Sequence, residues 1–292
     1  MFDLQINGFK TKDFECDFWN VANPANISAL DKFLISEGVD NYLATIITSS
    51  FEQTIKNLEA IEQSQSSLIF GVHLEGGLIS KLGVHDARYA QELNLKKFQN
   101  LVKKFPKLIK LVTLCPKLDS NGDITKFLQD SAIKVSYGHS DCDFDTAWNA
   151  FENYQVDLVT HWGNAMYVCD AFKQRNCTPE DLAKLDSNNP QKAGLGLAAY
   201  HHDRVNLMAI CGSKENFDLH LDPLLIKKLF QKKKQKMILV SDMVHAEKSE
   251  PEKLLGGLAS LRTHYKNAQS IGISTDELDH ATEILPRKLL KT

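Results

Sequence analysis

His139 and His161 each close a short apolar run, Val135-Ser136-Tyr137-Gly138 before the first and Leu158-Val159-Thr160 before the second. Between the runs Phe144, Ala147, Trp148 and Phe151 recur at helical spacing, with Asp141 or Asp143 available as a cap. A strand, helix and parallel strand in that order carry both histidines to one end of a sheet. Neutral imidazole offers a lone pair at pH 7, so two of them at neighbouring strand ends suit one metal ion. Glu75 ends a third apolar run on the face of Gly71 and His73, and Asp242 follows Val240 at the end of a late one. One carboxylate and two imidazoles leave a coordination position open for water, as in a catalytic site. An aspartate beside them, outside the ligand set, can take a proton from that water and pass it to a leaving amine, which amide hydrolysis requires. The plain alternatives are two core histidines bonded to backbone carbonyls, a helix cap at Asp242 and a turn acid at Glu75 before Gly76-Gly77.

These groups meet only if the elements carrying them close on one another. Eight runs rich in β-branched or large apolar residues read as strands, at 2–7, 42–48, 68–75, 109–114, 133–137, 158–161, 205–210 and 237–241. Helical patterns at 27–38, 51–63, 93–105, 124–130 and 224–233 lie between them, the last opening on Asp222-Pro223 as cap and first-turn proline. Eight alternations in a chain of 292 residues give an α/β fold, a (β/α)8 TIM barrel forming one domain across 1–292. A doubly wound open sheet is the runner-up, but Gly8-Phe9-Lys10 is no phosphate-binding turn. In the first strand, alternation puts Asp3, Gln5 and Asn7 on one face, expected to point into the barrel, and Phe2, Leu4 and Ile6 on the other. Glu75, His139, His161 and Asp242 then share the carboxyl end, where catalytic groups of such barrels lie.

The remaining residues set bounds. A net charge of −3 with mixed signs argues against nucleic-acid or membrane-surface binding, and the basic run 232–236 reads as a solvated helix end. Six scattered cysteines without CxxC pairs suggest a reducing cytoplasm, and neither an export signal nor a membrane span is expected. His73 reads as a core or supporting histidine and His201-His202 as surface or loop residues at the opposite end of the barrel. His245 could approach the mouth, while His85, His264 and His280 read as surface or helix residues.

Asp3-Leu4-Gln5-Ile6-Asn7-Gly8, His73-Leu74-Glu75-Gly76, Thr113-Leu114, Gly138-His139-Ser140-Asp141, Thr160-His161, Asn164-Ala165-Met166 and Val240-Ser241-Asp242 follow one another in the order of a known set of strand-end motifs. Together they resemble the N-acetylglucosamine-6-phosphate deacetylases of the amidohydrolase superfamily, over 1–242 and more faintly at 281–286. The resemblance implies that Glu75, His139 and His161 bind one divalent metal, zinc first, with iron or manganese as alternatives. It implies Asp242 as general acid and base, Asn164 and Ala165 as holders of the sugar phosphate, and His220 as the contact to the substrate carbonyl. Gln5 and Asn7 stand where many superfamily members carry His-x-His; amides are poor zinc ligands, so they fall to the substrate side of a one-metal site.

The implied substrate is an amino-sugar phosphate and the implied assembly a homodimer. Departures from the family pattern are the small β-sandwich, for which this sequence has no residues, Gly77 in place of a proline and Lys117 in place of an acid. The stretch 212–219 is long, 244–255 is short and charged, and the phosphate-binding arginine is replaced by a late Lys173 or Arg175 in 167–192, expected to be a lid or disordered. Two other readings stay open: a single-metal amidohydrolase for another amide or an amino-purine, and a silent barrel that binds a sugar phosphate or a partner.

Overall fold

The computed structural model describes residues 1–10, 12, 14–18, 23–187, 190–212, 220–244 and 256–291. Eight parallel strands pair in sequence order: β1 (Phe2–Ile6), β2 (Asn41–Ile46), β3 (Ile69–Glu75), β4 (Ile109–Leu114), β5 (Lys134–Tyr137), β6 (Leu158–Val159), β7 (Asn206–Ala209) and β8 (Met237–Leu239). The order never reverses, which excludes the doubly wound sheet. A parallel bridge between Ile6 and Met243 joins the two edges, with Asn7 N–H donating to Met243 O at 2.8 Å. All eight expected strands are present.

The helices form where apolar spacing and caps coincide. They are α1 (Pro24–Ser36), α2 (Phe51–Ser64), α3 (Leu95–Lys104), α4 (Asp123–Asp130), α5 (Phe144–Tyr154), α6 (Pro179–Asp186), α7 (Leu195–His201), α8 (Pro223–Lys233), α9 (Leu261–Ser270), α10 (Thr275–Asp279) and α11 (Leu285–Leu290). Asp143 caps α5 by accepting from Thr146 N–H, and Asp222 caps α8 ahead of Pro223. Residues 167–192 are not one featureless loop, for α6 lies within them, opened by a reciprocal Thr178–Asp181 capping box. The helix α7 gives no amphipathic signal because Leu195 to Tyr200 are all buried. A short antiparallel ribbon, Gly8–Lys10 with Glu15–Asp17, also goes beyond the expected elements, its strands being three residues each.

Two apolar layers follow from strand alternation. Val72, Val112, Val135, Val159, Leu207 and Leu239 face the helices, whereas Leu43, Leu111, Leu158, Met208 and Ile238 fill the barrel interior together with Phe2, Leu4 and Leu285. This corrects the parity expected in β1. Phe2 and Leu4 point inward and Ile6 outward, because β1 changes register between Asp3 and Ile6. The carboxylate of Asp3 lies at the β1–β8 seam, accepting from Gln5 N–H at 3.1 Å and Ser241 N–H at 3.2 Å. Burial pushes that carboxyl up to about 7.

Candidate functional site

Each proposed ligand follows or ends a strand and is turned inward by the backbone. His139, two residues past β5, has φ 46°, His161, two past β6, has φ 26°, and Asp242, three past β8, has φ 49°. Positive φ is uncommon for such residues and costs of order 1–3 kcal/mol each, so the surrounding fold must over-determine it. After Glu75 the chain turns through Gly76 at φ 101°, where a Cβ would come within 2.7 Å of Thr48 Cγ2.

These turns bring three side chains together. His161 Nε2 lies 2.7 Å and His139 Nε2 3.2 Å from Glu75 Oε1, and the two imidazole nitrogens are 3.1 Å apart. All three residues are buried. His139 Nδ1–H donates to Lys81 O at 2.9 Å, while Ser80 and Lys81 N–H both donate to His139 O. That fixes the tautomer: neutral His139 presents a lone pair at Nε2, toward a carboxylate and a second imidazole. Three electron-rich atoms in mutual contact out of water demand a proton or a cation among them. Their separations are close to those of ligands lying about 2.0–2.1 Å from one ion. The donor set therefore fits a divalent metal. Without one, burial opposes ionisation of Glu75, but hydrogen bonds with both histidines overcome it and hold the carboxyl below its usual range. Burial likewise works against charge on His161, yet Glu75 outweighs it and lifts the imidazole to about 9.

A cavity of about 230 Å³ opens over the triad, lined also by Asp242, Asn7, His85, Asn164, Ala165 and His220. Asn7 Nδ2–H donates to Asp242 Oδ1 at 2.7 Å and to its backbone carbonyl at 3.2 Å. Burial, then the charge of Glu75, pushes the Asp242 carboxyl well above the usual range. Below lies a chain of buried hydroxyls: His73 Nε2 to Thr113 Oγ1, Thr113 to Thr160, and Thr160 to Ser136, each 2.7 Å. It packs the floor of the site and accounts for His73.

Known proteins resemble this chain at two levels. The bovine N-acetylglucosamine-6-phosphate deacetylase is 31% identical over 172 residues, 56% of this chain and 41% of its own. That of Bacillus subtilis is 26% identical over 259 residues, 85% of this chain and 58% of its own. The chain thus spans about half the length of the curated relatives it matches. No family model matches it. Among solved structures, the Pasteurella multocida deacetylase superposes with a TM-score of 0.78 at 21% identity, over 99% of this chain and 76% of that one. A mutant of the Mycobacterium smegmatis enzyme, in complex with N-acetyl-D-glucosamine-6-phosphate, gives 0.76 at 15% identity over 99% and 76%. The chain is similar to the N-acetylglucosamine-6-phosphate deacetylases. It shares their barrel fold.

Against that deacetylase frame, Glu75, His139, His161 and Asp242 converge, and Asn7, Asn164, Ala165 and His220 reach the same cavity. Gln5 is fully buried outside the cavity lining, and among the described residues neither atom of its amide has a partner. His220 Nε2–H donates to Gly256 O at 3.1 Å. His85 is a correction: expected at the surface, it is buried over His139 with ring centroids 4.3 Å apart, and burial pulls its imidazole down to about 3. Its only sequence signal is position, ten residues past Glu75, where the β3 loop folds back. His264, expected at the surface or on a helix, is buried on α9. His202 is remote from the site as expected, bonding Glu152 at 2.8 Å, but it is buried at the end of α7 rather than at the surface. Of the two late cations, Arg175 lines the cavity, and among the described residues its Nε has no partner. His245 lies outside the described residues, as do 213–219 and 245–255.

Proposed function

We propose that the chain hydrolyses the acetamide of an N-acetylated amino-sugar phosphate, N-acetylglucosamine 6-phosphate first, releasing acetate. The convergence of Glu75, His139 and His161 with Asp242 in one cavity carries this reading. The names of the relatives support it, as does the sugar phosphate bound to the Mycobacterium smegmatis protein. The cavity, about 230 Å³, lies just below the roughly 300–1,000 Å³ of drug-sized pockets, on the scale of one monosaccharide.

A divalent ion held by Glu75, His139 and His161, with zinc suited to a nitrogen-rich set, would polarise the amide carbonyl and make hydroxide available near pH 7. Asp242 accepts the proton of the attacking water and hands it to the departing amine. Asn7 holds Asp242 by Oδ1, leaving Oδ2 for that transfer. His220 exchanges its bond to Gly256 O for the substrate carbonyl. Asn164, Ala165 and the half-buried Arg175 guanidinium receive the phosphate. We place the enzyme in the cytoplasm, in keeping with six unpaired cysteines.

The test is acetate release from a panel of N-acetyl sugars, phosphorylated and not, with metal content measured on the same preparation. Acetate from the 6-phosphate above all others is expected. A metal-loaded protein that releases acetate from none of them, or that releases ammonia instead, overturns the reading.

A further inference from the structure

The largest cleft among those described lies at the other end of the barrel. About 1030 Å³ in volume, it runs from Lys134 and Arg204 at the starts of β5 and β7, past the α8–β8 turn, to the C-terminal helices. Eight basic and four acidic side chains line it, on a chain whose net charge is −3. Not all of these charges are available. Lys134 pairs with Asp157 at 2.5 Å. Lys233 is buried, donates to Ala199 O and His202 O at the end of α7, and is lowered by burial to about 7. Glu277 is committed to the Ser274 capping box. Lys234, Lys236, Lys288 and Lys291 form no ion pair among the described residues. Lys232 lies over the Tyr200 ring at 5.5 Å.

Asp203 and Asp276 also line the cleft, but among the described residues neither forms an ion pair with the four lysines, whose charges repel one another. An apolar side chain is exposed in the same cleft: Ile284, 55% exposed, stands just before α11, whose Leu285 is buried and whose Leu289 is partly buried beside Lys288. Here the helix widens into a π turn, His280–Ile284, a rare geometry that recurs at functional sites. Cations and an exposed apolar side chain lining one cleft match a ligand with clustered negative charge and an apolar body.

We propose that this cleft binds a small organic polyphosphate of the nucleoside triphosphate class, its phosphates on Lys234, Lys236, Lys288 and Lys291 and its body against Ile284 and Leu289. Ammonium groups serve phosphate as point charges and need no bidentate geometry. The site is independent of the proposed hydrolase, since it lies at the amino ends of the strands.

The probe is ATP in EDTA, titrated calorimetrically into the full chain at low and at physiological salt. Saturable binding is expected, weaker in salt, and reduced at least about tenfold in the variant K234Q/K236Q/K288Q/K291Q. Acetate release by that variant should be unchanged, which also shows that it folds. Inorganic tripolyphosphate separates a bare phosphate chain from a nucleotide, and ATP should bind more tightly. The proposal is overturned by absence of binding at millimolar ATP, by tripolyphosphate binding as well as ATP, or by binding that survives the four substitutions but is lost in Arg175→Gln.

Discussion

The two ends of the barrel interior are built from the same strands and share almost no chemistry. Leu111, Leu158 and Ile238 close the lower end. Two residues further on, along the same inward faces, stand Thr113, Thr160 and Val240, and beyond them the mouth with His161 and Asp242. Each step of two residues climbs about 6.6 Å and keeps the face, so a barrel sorts its interior by height. The lower layer holds apolar side chains in ordinary strand geometry. The mouth holds ionisable groups in contact and left-handed backbone at three of them. Stability is concentrated below, and the fold spends part of it above, where binding has to occur.

That division can be broken at either end. The largest effect is expected at the triad, where His161→Asn should abolish turnover and drop metal content from about one to below about a tenth of an equivalent, read by elemental analysis. Retained stoichiometric metal would remove His161 from the ligand set. Next, Asp242→Asn should slow acetate release by about a hundred- to ten-thousandfold while metal content stays at wild-type level. Turnover near wild type would take the proton-transfer role from Asp242.

At the lower end Leu111→Ala should cost about 2–5 kcal/mol of unfolding free energy, measured by denaturant titration, and leave metal stoichiometry unaltered. If it empties the metal site instead, the two layers are not separable. The smallest effect belongs to the seam between them. Asp3, ordinarily near 3.8, is raised to about 7 in the fold, so the native state binds the extra proton. Stability from this group is complete below about pH 4 and is lost progressively as pH rises to about 7, roughly 4 kcal/mol in all, of which about 2–3 kcal/mol is lost between pH 5 and pH 8. Asp3→Asn should flatten that slope in denaturant midpoints taken at pH 5 and pH 8. An unchanged slope would show that Asp3 is ionised in the fold.

Much of this organisation is written in the chain itself. Strand–helix alternation follows from local spacing and caps, and Glu75, His139, His161 and Asp242 are found because each closes an apolar run, so strand parity alone aims them at one end. Tertiary structure decided what depends on distant partners. Only closure of the sheet places Asp3 against Ser241 and shifts β1, which turns Phe2 and Leu4 inward against their apparent parity. Folding of the β3 loop back over the mouth, and nothing in its local sequence, sets His85 against His139. Asn7 meets Asp242 across the closing seam, and Arg175 reaches the cavity from a stretch whose path the sequence left open. Local pattern records which face a residue takes; which other residue it faces is settled when the barrel closes.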